Sequence, residues 1–421
     1  MQPTSIVAAC LLATVACAAP AQAATVSPAG VRLAQIAVNA DGATLVAWER
    51  KTATGFAIEA RTGAGPRRLG PTRRLAARGY QPGVAIGADG TRAVQWMEYA
   101  GDRIQMIRVA VARPGHGFGR GQVLFRLRGN VSPAGVAVQP NGRVVAVFRP
   151  KPTRLAFALA PRNRRFAHNR SLEIAGSTRD TAIALDPRDG AVVLAAGTPP
   201  SATPPTNQQA AVRVLPMTSV HFSAPIVLSD PSGLAEARPV VVSGSGGTGV
   251  AYTQTASSTT LNLVRRNADG TWAPRERVAS PAYGEDVFAV GLRATLPADG
   301  SALAAWTIDT ETGGLGGSIG KQTVCSVAPP SAAFGAPVPM TPAGERYGAI
   351  AVASAGSDAF LATAKAHGPV ILAMRSAGSS TLGPPRLLTS DGDGDVLLAA
   401  AGSHVVAAWQ QHDRLRILTV H

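Results

Sequence analysis

Cysteine is nearly absent from this chain of 421 residues: there are three. Two of them, Cys10 and Cys17, fall in the N-terminal stretch MQPTSIVAACLLATVACAAPAQA. Its apolar run over 5–19 is too short to span a bilayer, and Ala21-Gln22-Ala23 reads as a small-x-small cleavage site. A secretory signal peptide over 1–23 is therefore expected, although its start lacks the usual Lys or Arg. Cleavage would leave Cys325 alone and exclude an intramolecular disulfide. A lipid-anchored form through Cys17 is the minority alternative. No later apolar run is long enough for a membrane span. Lysine is also rare, at four of the 40 basic residues. The seven histidines (His116, His168, His221, His367, His404, His412 and His421) show no His-x-His or HExxH spacing, which argues against a transition-metal centre. Amphipathic helical patterns are scarce too.

What is present is Gly, Pro, Ala and Val, in a repeat. NADGATLVAW (39–48) is nearly copied as GADGTRAVQW (87–96). The position of Asp41 recurs as Asp89, Asn141, Asp189, Ser245, Asp299, Gly356 and Gly402. Seven residues after each stand Trp48, Trp96, Phe148, Ala196, Tyr252, Trp306, Thr363 and Trp409. Apolar runs flank each turn, such as IAV before and TLVAW after, so each copy reads as a tight β-hairpin. A second marker, an apolar pair six residues apart, opens the last strand of each unit: Leu69/Leu75, Phe118/Leu124, Phe166/Leu172, Phe222/Leu228, Trp272/Val278, Phe334/Met340 and Leu382/Leu388. A third strand lies between the markers, for example FAIEAR (56–61).

Eight units of four antiparallel strands, with a period of about 52 residues, resemble a β-propeller. The fold class is all-β, with eight blades and seven as the alternative. One domain is expected over 24–421, with units near 33–81, 82–132, 133–180, 181–237, 238–289, 290–348 and 349–394. The last unit, 395–421, lacks a fourth strand, which 24–32 would supply. In that arrangement the Asp-Gly turns share one face, here called the bottom. Longer, more varied loops share the top, where binding usually resides.

The top-face candidates are Tyr80, Tyr99, Tyr283 and Tyr347, with Glu285, Asp286 and Arg346 close by in sequence. Rings beside carboxylates suit a sugar or a peptide. Charge is uneven. Residues 50–180 hold 24 Lys/Arg against 6 Asp/Glu, and the rest of the chain 16 against 19. Much of the excess lies near outer strands: Arg67, Arg68, Arg73, Arg74, Arg126, Arg128, Arg164 and Arg165. Two readings stand side by side: a flank for an anionic partner, or charges that keep exposed strand edges from pairing. Export argues against nucleic acid.

SDGDGDV (390–396) spaces Asp391, Asp393 and Asp395 as calcium ligands can be spaced, though Gly402 stands where an EF-hand loop ends in Glu. No other cofactor is implied. GGSIG around Ser318 matches a nucleophile-elbow pattern but has no helix pattern after it. Gly320-Lys321 lacks the Ser/Thr of a phosphate loop. NADGTW (267–272) resembles the Asp-box turn of sialidase propellers, but its Asp and Gly are adjacent and no other unit repeats it. These observations favour a secreted or envelope-located, monomeric binding scaffold for a protein, an anionic polysaccharide or a cell-wall polymer. The alternative is a carbohydrate-active enzyme using Glu98, Glu285, Asp286 and Glu345.

Overall fold

The computed structural model describes residues 23–421 apart from 101–103, 152–153, 163, 168–169, 173–180, 199–208, 231–238, 256–258, 281–286 and 312–317. The strands form eight separate four-stranded antiparallel sheets, and the chain is an eight-bladed β-propeller. Blade 1 consists of strands a to d at Val31–Val38, Thr44–Thr52, Gly55–Gly63 and Arg73–Ala76. Blades 2 to 7 follow over 79–128, 132–172, 181–227, 240–279, 287–339 and 347–392. Blade 8 takes its first three strands from 396–419.

The Asp-Gly hairpins fold as the repeat predicts. Gly42, Gly90, Gly142, Gly190 and Gly300 have φ between 68° and 80°, a region that an L side chain rarely enters. In blades 2, 3, 4 and 6 the preceding Asp or Asn makes a short local bridge, while in blade 1 the Asn39 side-chain oxygen accepts the Ala43 N–H at 2.9 Å instead. The Asp89 carboxylate accepts the Thr91 N–H at 2.9 Å, Asp299 accepts that of Ser301 at 3.0 Å, and Asn141 accepts that of Arg143 at 3.0 Å. An amide oxygen serves as well as a carboxylate, which is why Asn replaces Asp in one copy. Asp269 does the same for Thr271 at 2.9 Å, so the stretch similar to an Asp box is a plain turn of this kind.

Eight hydrophobic cores hold the ring together, each shared by two neighbouring blades, including the pair 8 and 1. The strand-b position that marks each repeat fills them. Trp48, Trp96, Phe148, Tyr252, Trp306 and Trp409 are all buried. Where the marker is Thr363, its hydroxyl instead pairs with that of Thr323 at 2.8 Å across two blades. Bottom turns are also latched between blades. Arg266 of blade 5 reaches Asp186 and Asp189 of blade 4 at 2.8 Å each, and Arg375 of blade 7 reaches Asp299 of blade 6 at 2.8 Å.

The ring is closed by a strand of two residues, Ala24–Thr25, which stands opposite Ile417 and Arg416. Val26 then donates to the Leu415 carbonyl at 2.9 Å, and Ser27 Oγ accepts the Leu415 N–H at 2.8 Å. One expectation needs correcting. The second apolar marker does not open strand d. Leu69 and Trp272 make isolated bridges to Gly63 and Arg266, and strand d begins only at Arg73 and Glu276. Proline in between, Pro71 or Pro274, withholds the donor that would continue the ladder.

Candidate functional site

The excess of positive charge has a geometric focus. Strand c of blade 2, Ile104–Ala112, runs to the bottom rim, where Arg113 follows it, and strand d returns from Gln122. The c–d turn of blade 3 brings Arg164, Arg165 and Phe166 alongside. Between them lies an open groove of about 460 Å³. Its apolar wall is Val109, Val111 and Phe166, and its cations are Arg113, Arg120, Arg164 and Arg165. No carboxylate lines it among the described residues.

The groove is built to hold its shape. Gln122 donates to the Phe166 carbonyl at 3.2 Å, and its own oxygen accepts the Phe166 N–H at 3.0 Å. That reciprocal pair joins the two blades at the groove. Arg113 is pinned to the Gly142 and Pro161 carbonyls at 2.7 and 3.0 Å. Burial pushes its pKa down, with Arg162 adding to the effect and Asp89 opposing it. Arg120, Arg164 and Arg165 are exposed. One fixed and three solvent-facing guanidinium groups along an apolar wall can take successive anionic groups of an extended ligand.

The other basic residues named from sequence spread along the same rim. Arg67 and Arg68 lie in the short turn Pro66–Arg68, Arg73 and Arg74 on strand d of blade 1, and Arg126 and Arg128 on strand d of blade 2. All six are exposed. Arg113 and Arg120 escaped selection by sequence. A signal for Arg113 exists, because arginine recurs at the end of strand c as Arg61, Arg265, Arg266 and Arg375.

The top-face candidates divide. Tyr80 and Tyr99 meet edge to face at 5.2 Å between centroids, Phe56 joins Tyr80 at 5.7 Å, and Arg32 lies 4.9 Å over Phe56. Both tyrosines belong to strands, Gly79–Ile86 and Arg92–Tyr99, not to loops, because a bulge after Tyr80 lets strand a begin further out. Beneath them Glu49 is buried and accepts the Gln81 N–H at 2.7 Å. Burial pushes the Glu49 pKa up, against that bond and the charge of Arg32. Tyr347 is buried as the first residue of strand a in blade 7, with Arg346 before it. Tyr283, Glu285 and Asp286 lie outside the described residues.

Two other carboxylates named from sequence are engaged by cations: Glu98 with Arg108 at 2.8 Å and Glu345 with Lys365 at 3.1 Å. The aspartates of 390–396 take separate partners. Asp391 accepts from Thr389 and Gln411 and faces His412 at 3.1 Å, while Asp393 accepts the Asp413 N–H at 2.9 Å. Burial and the neighbouring Asp393 push the Asp395 pKa up. Among the described residues, no three His, Cys, Asp or Glu side chains gather to hold a metal ion. No helix among them is long and apolar enough to cross a membrane.

No protein-family model matches the chain, and no curated protein does. Among solved structures it is similar to the β-propeller domain of the Trilobed protease from Pyrococcus furiosus, at 9% identity and a TM-score of 0.47, over 87% of this chain and 97% of that one. It is also similar to an ulvan lyase of polysaccharide lyase family PL25, at 10% identity and 0.49, over 95% and 94%. A Hadza microbial sialidase, Hz136, stands at 10% identity and 0.40, over 87% and 74%. At such identities these likenesses carry nothing about chemistry.

Proposed function

We propose that this protein is a secreted or envelope-located propeller that binds an anionic glycan or cell-wall polymer along the outer rim of blades 1–3, as a monomer and without catalysis. The observation that carries the reading is the groove between blades 2 and 3, where four arginines face one space that no described carboxylate shares. A polymer with regularly spaced carboxylate, sulfate or phosphate groups would engage these guanidinium groups in turn, and the exposed arginines of blades 1 and 2 extend the track along the rim. The export signal expected over 1–23 places such a ligand within reach. Of the carboxylates an enzymatic reading would use, Glu98 and Glu345 are each held by a neighbouring cation.

The test is retention on an immobilised sulfated polysaccharide across a salt gradient. The natural protein should be held at low ionic strength and released as salt screens the contacts. The triple variant Arg120→Ser, Arg164→Ser, Arg165→Ser should elute at clearly lower salt. Equal elution of the two proteins would refute the assignment of the groove.

A further inference from the structure

The eight innermost strands surround the axis, and their registers define a ring. In each blade one strand-a residue stands opposite the residue just before the strand-b marker. In blades 1 and 6 these are Gln35, opposite Ala47, and Arg293, opposite Ala305. Elsewhere they are Gly83, Gly135, Ala182, Val240, Ala351 and Leu397. All eight lie within inner strands, yet all are partly or fully exposed, so the ring borders the axis, although Ala351 and Leu397 also pack against the cores shared with blades 8 and 1. Its surface is apolar apart from Gln35 and Arg293.

Arg293 is unusual there. Only Arg32 and Arg293 carry charge on any of the eight inner strands, and Arg32 sits at the outer end of its strand, stacked on Phe56. The sheet is deformed where Arg293 emerges. The ladder slips between Val290 and Arg293, with Gly291 at φ 68°, and such bulges re-aim the side chains that follow. Leu292 and Ala294 turn into the core shared with blade 5, which leaves Arg293 on the opposite side of the strand. The one hydrogen bond of its guanidinium among the described residues goes to the Leu292 carbonyl at 2.9 Å. Burial pushes its pKa down. It is thus reached by solvent and yet hemmed in by protein, as a side chain facing an axial channel would be.

We propose that Arg293 makes the axial channel a binding site for a small amphipathic monoanion, an aliphatic carboxylate, whose head pairs with the guanidinium while its chain lies on the apolar ring. The site is separate from the rim groove and does not depend on it.

Calorimetric titration of the full chain with octanoate, octylamine and acetate tests this. Octanoate should saturate one site. Acetate lacks the apolar body and octylamine the negative charge, so each should bind at least about tenfold more weakly, the scale of one charge-assisted contact. R293M should weaken octanoate by about tenfold or more. R293Q, which keeps a polar side chain at this exposed position, should weaken octanoate likewise even if R293M fails to fold. The rim variant Arg164→Ser, Arg165→Ser should bind octanoate unchanged. No octanoate binding to the natural protein, equal binding by folded R293M or R293Q, or acetate binding as tightly would each overturn the proposal.

Discussion

Blades 1 and 2 and blades 4 and 6 solve the same problem with different means. Every blade ends in an outer strand that needs protection from pairing with another edge. Blades 1 and 2 carry exposed arginines there, on Arg73–Ala76 and Gln122–Arg128. Blades 4 and 6 have outer strands of only two residues, Ile226–Val227 and Val338–Pro339, exposed and apolar, each preceded by proline. Shortness and proline serve in those blades, and blades 5 and 7 carry one exposed arginine each there, Arg277 and Arg386, so edge protection alone does not account for the density of arginine in blades 1–3. The arginines themselves are also used differently. In blades 4–7, Arg188, Arg265, Arg266 and Arg375 each pair with a carboxylate. In residues 50–180 there are too few carboxylates to go round, and guanidinium groups are left facing solvent. The latched arginines hold blades together; the spare ones can bind.

That contrast can be broken by experiment. The largest effect is expected at a latch. Arg375 is fully buried, so Asp299→Ala leaves a cation uncompensated and should cost about 3–5 kcal/mol in urea unfolding. Asp41→Ala, at an exposed turn, should cost less than about 0.5 kcal/mol. Similar losses at both sites would erase the distinction.

The same latch should respond to acid. Burial pushes the Asp299 carboxyl upward, but hydrogen bonds from Ser301 and Arg375 outweigh it and hold the pKa at about 2, below the ordinary 3.8. A depressed carboxylate stabilises the fold fully above its unfolded value and loses that contribution as pH falls through the folded one. Between about pH 4 and pH 2, Asp299→Asn should therefore lose less stability than the natural protein does, as read from thermal midpoints over an acid series.

A smaller effect is expected on the basic rim. Replacing Arg73, Arg74 and Arg126 by Thr should shift polyanion elution moderately and leave the protein monomeric by light scattering. Aggregation without a change in elution would return these residues to edge protection. Smallest of all, Cys325 is buried with its pKa pushed up to about 11, so it should resist thiol reagents at neutral pH until the protein is unfolded.

Much of the architecture was legible because one turn repeats. Gly at positive φ after an Asp or Asn fixes five of the eight hairpins, and in six blades an aromatic seven residues on from the turn position lands in the core between blades. Strand d was harder to place, because Leu69 and Trp272 form single bridges ahead of it and only the ladder shows that the pairing is not yet continuous. Site residues were legible only in part. Arg164 and Arg165 were visible as a cluster in sequence. Arg113 was not, because its partners Gly142 and Pro161 come from the next blade. The pairing of Tyr80 with Tyr99 depends on a bulge, which moves a residue that sequence put in a loop onto a strand. The ring around Arg293 needs the registers of all eight blades, and no local pattern announces it.

The closing strand gives the ring a mechanical polarity. Ala24 and Thr25 pair antiparallel with Ile417 and Arg416, so the described chain enters and leaves the same blade on the same side. A load applied between them would peel this two-residue ladder one pair at a time, whereas the ladders inside blades 1–7 lie in series behind it. The molecule is a clasp whose catch is a strand of two residues. Tension on the ends would release the catch and convert the closed ring into an open array of blades, each still holding its own four strands except the last.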